Sequence, residues 1–416
     1  MQWLTSLFVL AVIAEMITRL WLSSRQVAAV RAHRDAVPEL FRSQVELADQ
    51  QKAADYTVAR AQLGRIDTIF EAFLRLVFTL GGGIAAVDVL WQKAGLSQPW
   101  HGALVIGTVM LVLSVLNLPF SLWRTFKLEA RFGFNRVSPA LFVTDLVKGL
   151  VLSVLIGGPV ILGALLLMER GGPWWWLYAW AAWTAFSLVL TWAFPRFIAP
   201  LFNRFTPLTD AALKARVETL LARTGFASKG VFVMDGSRRS AHGNAYFTGV
   251  GRNKRIVFFD TLLERLGGAE VEAVLAHELG HFRLQHVRQR IVLSLFMSLI
   301  GLALLAWAAT VPDIFRALGV SLPSSPALLL LAMFVVPPFT YFITPLGAWW
   351  SRRHEFQADD FAAKNASAAA LADALVKLYR ANASTLTPDP IHSAFYDSHP
   401  PALVRIARLQ NAAASA

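Results

Sequence analysis

The chain has 416 residues, 56% hydrophobic and only 16% charged, with 14 Trp, 29 Phe and a mean hydropathy of +0.49; a soluble protein is about a quarter charged, so the composition points to a membrane. The net charge of +12 fits basic connections facing anionic lipid, and no basic run interleaved with aromatics forms a domain for nucleic acid. Cysteine is absent, which excludes disulfides, thiolate metal ligands and a cysteine nucleophile.

A bilayer requires about 20 mainly apolar residues in a helix. Seven segments qualify: 3–22, 69–91, 102–123, 146–168, 174–194, 291–311 and 327–350. The first opens on "MQWLTS", with no basic residue and no small-residue cleavage site after it, so it reads as a retained span and not a signal peptide. Connections 23–68 and 124–145 hold seven and four Lys and Arg, 195–290 is rich in them, and Arg352 and Arg353 follow the last span. The alternate connections hold Lys93, Arg170 and Arg316 alone. The basic stretches thus share one side, which the positive-inside rule makes cytoplasmic, with the N-terminus outside and the C-terminus inside. Glu15/Arg19 and Glu71/Arg75 are i, i+4 pairs within the first two spans. At that depth such charges face a wet cavity or each other, or snorkel to the interface.

Residues 195–290 and 351–416 lie on the same side and can meet. The expected division is a membrane domain over 1–198, with five spans and the loop 23–68, and a second domain over 199–416 that carries the last two spans. Within the second, "AYFTG" (245–249) and "KRIVFFD" (254–260) read as two strands about a Gly-Arg-Asn-Lys turn. An edge strand there suits an extended peptide held by backbone hydrogen bonds.

"GGAEVEAVLAHELGHFRLQHVRQR" (267–290) reads as one helix, broken before it by Gly267 and Gly268 and opened by Glu270 and Glu272 where the dipole favours acids. Spacing i, i+4 puts His277 and His281 on one face with Cβ atoms about 6 Å apart, which suits two imidazoles on one Zn²⁺. Glu278 is turned about 100° away, outside the ligand set but able to serve as general base to a water. Two solvated histidines on a polar face are disfavoured by Leu275, Leu279 and Phe282, which bury much of the helix. The metzincin pattern would need Gly at 284 and His at 287; Leu284 and Val287 exclude it, and His286 falls on the wrong face. "RRHEFQADDFA" (352–362) supplies a third ligand in Glu355, and Asp359, one turn on, would accept the outer N–H of a ligand histidine. His354 is a weaker rival ligand, and a helix opening with surface acids is the bland alternative.

With these residues in view, the chain resembles the type I CAAX prenyl protease family. The likeness rests on "LPFSLWRTFKLEARFGFN" (118–135), "PLFNRFTPL" (200–208), "RSAHGNAYFTGVGRNKRIVFFDTLL" (239–263), "HELGH" (277–281), "SRRHEFQADDFA" (351–362) and "SHPPALVRIARL" (398–409). The resemblance implies a mostly α, polytopic membrane protein with seven transmembrane helices around a chamber, capped by a cytoplasmic zincin-like domain with a small sheet. It implies an endopeptidase with one Zn²⁺ per chain on His277, His281 and Glu355, and Glu278 activating water. The family's substrate-binding and transition-state groups fall on Asn244, His399 and Arg405. His399, ahead of Pro400 and Pro401, suits oxyanion stabilisation from a stiff turn, unless that turn is only a helix entry capped by Ser398.

The expected partners are a peptide or protein substrate, prenylated or not, and the bilayer. The expected state is a monomer, in the endoplasmic reticulum membrane of a eukaryote or the inner membrane of a bacterium, where misfolded or stalled membrane proteins are plausible substrates. Three alternatives compete: a heat-shock-type membrane zinc peptidase, with about four spans; an intramembrane protease, for which Arg283, Gln285, Arg288, Gln289 and Arg290 make the motif helix too polar; and a non-enzymatic scaffold or transporter.

Overall fold

The computed structural model describes residues 2–226, 230–248 and 255–414. Among the described residues, six helices are long and apolar enough to cross a membrane: Gln2–Ala32, Trp100–Glu129, Pro139–Arg170, Gly172–Phe202, His286–Ala309 and Ser325–Asn365. The expected second span is broken. Leu47–Phe78 and Gly83–Gln92 meet at a 50° bend and count as a seventh span if taken together. The break follows from the Gly81-Gly82-Gly83 run: Gly82 adopts φ +76, where a side chain is strained. Gly319 sits against the same break, since a Cβ on it would lie 2.3 Å from the Thr79 carbonyl oxygen.

Large apolar side chains on the spans, such as Leu155, Val189 and Trp307, are exposed, as lipid-facing residues are. A smaller inward set, including Phe8, Phe78, Val109, Leu165 and Leu328, joins the helices. The charged residues of the first two spans pair across and not only along them. Arg19 Nη1 lies 3.4 Å from Glu15 Oε1 and 2.7 Å from Glu71 Oε2, and Arg75 Nη1 contacts Glu15 Oε2.

The non-membrane part is built on four strands: β1 (Phe205–Pro207), β2 (Val231–Met234), β3 (Ala245–Thr248) and β4 (Arg255–Phe259). Their order is β1-β2-β4-β3, antiparallel at both outer pairs and parallel between β2 and β4. The two expected strands are β3 and β4, in register from Ala245↔Phe258 to Thr248↔Arg255; the turn at 251–254 lies outside the described residues. Ile256 and Phe258 of β4 pack with Val271, Leu275 and Leu279 of the helix Gly268–Arg283, and with Leu371, Leu375, Ile406 and Leu409 from the C-terminal helices. One core therefore fixes the motif helix between the sheet and the tail.

Candidate metal centre

The motif helix, Gly268–Arg283, is closed at its start by Glu270, whose carboxylate accepts from Gly267 N at 2.7 Å. It is shorter than the sequence suggests. Gln285 adopts φ 60, the chain turns, and His286–Ala309 continues as a separate helix. The helix Thr344–Asn365 crosses it closely, because a Cβ on Gly280 would stand 3.0 Å from Ala358 Cα and 3.1 Å from Phe361 Cβ. The glycine inside the motif therefore permits the approach that carries Glu355 to the histidines.

At the crossing, His277 Nε2 lies 3.3 Å from His281 Nε2 and 3.4 Å from Glu355 Oε2, and His281 Nε2 lies 3.3 Å from Glu355 Oε1. Zinc bonds of about 2.0–2.1 Å in a tetrahedron require ligand atoms about 3.3–3.4 Å apart. The His277–His281 edge meets that requirement, and each histidine nitrogen reaches a Glu355 oxygen at a like distance, His277 to Oε2 and His281 to Oε1. Glu355 is 3% exposed, and among the described residues its buried Oε2 has no hydrogen-bond partner, the state of an acceptor awaiting a cation. A set of two imidazoles and one carboxylate, with no sulfur, suits Zn²⁺ with a coordination position left open.

A buried relay backs the first histidine. Asp359 Oδ1 is 2.8 Å from His277 Nδ1, and Arg405 donates through Nε and Nη2 to the two Asp359 oxygens at 2.7 Å each. Arg405, expected at the substrate, is buried beneath the cluster and not exposed to solvent. Glu278 is half-buried, and burial pushes its carboxyl up from the usual range. It has no hydrogen bond or ion pair among the described residues and is free to meet a water.

His399 is exposed, with Nε2 3.4 Å from Glu355 Oε2 and Nδ1 3.0 Å from Ser398 Oγ, so Ser398 turns to its neighbour and not to the following helix. It lines a cavity of about 1030 Å³ together with Tyr56, Arg124, Glu129, His242 and Tyr396. Asn244 stands exposed at the start of β3, where its Oδ1 accepts from Ala245 N at 2.8 Å and its carbonyl from Phe259 N at 3.0 Å. β3 is an outer strand of the sheet and packs on the motif helix. Among the described residues, the contacts of the three-residue cluster do not include Asn244.

His286 is where sequence reasoning missed a contact. A continuous helix would turn it away, but the break at Gln285 brings its Nδ1 to 3.0 Å from His281 Nδ1. His354, the rival ligand, lies outside the cluster and stacks on His286 at 3.9 Å.

Residues 26–204 match the family model described as CAAX prenyl protease N-terminal, five membrane helices, and residues 207–413 match Peptidase family M48. CAAX prenyl protease 1 homolog of Oryza sativa subsp. japonica is 38% identical, covering 78% of this chain and 79% of that protein. The Homo sapiens homolog is 33% identical over 80% of each chain, and CAAX prenyl protease 1 of Saccharomyces cerevisiae is 31% identical over 90% and 88%. The crystal structure of S. mikatae Ste24p superposes with a TM-score of 0.90 at 28% identity, covering 98% and 99% of the two chains. With the bundle and the His-His-Glu cluster, these likenesses define a multi-pass membrane zinc metalloendopeptidase acting on peptide or protein substrates. The chain belongs to the CAAX prenyl protease family, in peptidase family M48.

Proposed function

We propose that His277, His281 and Glu355 hold the zinc and that Glu278 is the general base for peptide hydrolysis at the cytoplasmic membrane face. The convergence of the two histidine Nε2 atoms, 3.3 Å apart, on the two oxygens of one buried carboxylate carries this reading. Zinc, when bound, supplies a Lewis acid that polarises the scissile carbonyl and acidifies water. Glu278, without a hydrogen bond or ion pair among the described residues, takes the proton of the attacking water and returns it to the leaving amine. His399, exposed beside the cluster, donates to the carbonyl oxygen as it gains negative charge. Asn244 and the β3 edge hold the substrate backbone extended. Asp359 fixes the tautomer of His277. Arg405 serves as a positioning residue that holds Asp359, because its guanidinium is buried against that carboxylate.

The proposed substrate is a prenylated peptide, on the strength of the names of the relatives. One chain supplies every proposed group, so the working unit is a monomer, divided at about residue 198 into a bundle and a metallopeptidase domain. The clustering of Lys and Arg supports a catalytic side and C-terminus in the cytoplasm and an N-terminus outside. The cysteine-free chain makes that topology directly testable. In sealed membranes of known orientation, single cysteines in 93–98 and 130–136 react with an impermeant thiol reagent from the outer and the cytoplasmic side respectively if the topology holds, and from the reverse sides or from one side if it fails.

The deciding experiment is cleavage of a farnesylated peptide and an unprenylated control by detergent-purified protein, with zinc measured in parallel. Wild type cleaves and carries one zinc per chain, Glu278→Gln keeps zinc and loses cleavage, and chelation abolishes both. Equal cleavage of the two peptides removes the prenyl requirement. Zinc retained with Glu278→Gln still active removes the base assignment.

A further inference from the structure

His281 has a second buried partner. Its Nδ1 lies 3.0 Å from His286 Nδ1, and His286 Nε2 lies 2.9 Å from the Gln357 side-chain oxygen. With that amide oxygen as the acceptor, His286 Nε2 carries the proton and donates. The neutral ring then has a lone pair on Nδ1, which accepts the Nδ1–H of His281. With its proton held there, His281 turns a lone pair on Nε2 towards His277 Nε2 and Glu355 Oε1. His286 is 1% exposed, and its ring lies flat on His354, centroids 3.9 Å apart and planes within 4°. Trp350 packs on the other ring at 4.7 Å. The ring cannot swing aside without breaking this stack.

We propose that His286 is the positioning residue for His281. It sets the tautomer and ring orientation of the second zinc ligand as Asp359 does for the first. The inference rests on the ligand assignment above and extends it. The two supports differ in kind. His277 leans on a carboxylate locked by Arg405, whereas His281 leans on a neutral ring anchored by an exposed glutamine. A carboxylate acceptor raises the basicity of a ligand histidine more than a neutral imidazole does.

The test uses full-length protein in detergent, with zinc as the probe. His286→Phe keeps an aromatic ring against His354 and removes the acceptor. His286→Asn places Oδ1 near the position of Nδ1 and restores it. Loss of the acceptor is expected to weaken zinc binding about 10–100-fold, the usual effect of losing such a partner, read as faster zinc transfer to a chromogenic chelator. His286→Asn is expected to recover most of that loss. Co²⁺ substituted for zinc should show an altered visible absorption spectrum in His286→Phe and a near-native one in His286→Asn. A His286→Phe protein that unfolds at the wild-type temperature and releases zinc at the wild-type rate overturns the proposal, as does failure of His286→Asn to recover. His281→Ala serves as the control for the reading beneath it: undiminished zinc in that variant removes the ligand assignment, and the inference with it.

Discussion

Two of the places where the chain buries charge are built on opposite plans. In the bundle, Glu15, Arg19, Glu71 and Arg75 alternate acid with base, so that each guanidinium meets a carboxylate and the set is neutral in itself. At the crossing of the motif helix, two imidazole nitrogens and two carboxylate oxygens point at one another, with a buried oxygen left without a hydrogen-bond partner. The first arrangement is complete as it stands and ties one span to the next. The second is complete only around a cation. Burial and charge alone would rank the two networks together; convergence of acceptors separates a site from a strut.

The largest effect should come from removing that convergence. Glu355→Gln keeps the volume but replaces one oxygen with an N–H donor facing the histidines, and is expected to lose both stoichiometric zinc and cleavage, measured by metal analysis and peptide turnover. A variant that keeps both would show that the carboxylate is not a ligand. Next in size is Arg405→Leu, which takes away the buried Asp359 carboxylate's only charged partner among the described residues and leaves it with His277 Nδ1. Breaking one side of a buried pair costs about 3–5 kcal/mol, read as a drop in thermal unfolding together with weaker zinc retention. In the double variant with Asp359→Leu the two losses should not add, because one interaction is removed twice. Additivity would show that the two side chains act separately. A smaller effect is expected for Gly280→Ala, whose added Cβ meets Ala358 Cα at 3.0 Å. Overpacking of this kind costs about 1–3 kcal/mol, and here it also pushes the Glu355 helix off the histidines. Zinc affinity should fall more than stability, since ligand edges near 3.3 Å tolerate little displacement; unchanged zinc affinity would place the tolerance in Phe361.

The pattern of what could be read from the sequence follows the range of the forces involved. The motif helix, the strands β3 and β4 and the apolar spans announce themselves by local periodicity. The Glu355/Asp359 pair is legible because i, i+4 spacing is a local rule. The break after Phe78 had a signal in Gly81-Gly82-Gly83 that hydropathy averaging concealed. The break at Gln285 had none, because a glutamine at positive φ is held by tertiary packing and not by its own preference. That one dihedral decides where His286 goes, so its contact with His281 could not be read from helical phase. The burial of Arg405 against Asp359 was equally hidden, since it joins residues 46 apart in sequence through the fold of the tail.

The smallest expected effect lies in the bundle and bears most directly on the contrast between the two networks. Glu15 is 6% exposed and contacts both Arg19 and Arg75, while Arg19 has Glu71 as a second partner. Glu15→Gln therefore strands Arg75 more than Arg19. An unpaired guanidinium within a span is costly, so the single variant should unfold at a lower temperature than Glu15→Gln/Arg75→Gln, in which no charge is left alone. Both proteins should keep one zinc per chain and cleave peptide as wild type does, since a strut touches neither metal nor substrate. A double variant that is stable but impaired in cleavage would place these four side chains on the substrate path, and the division between site and strut would then have to be redrawn to include the membrane network.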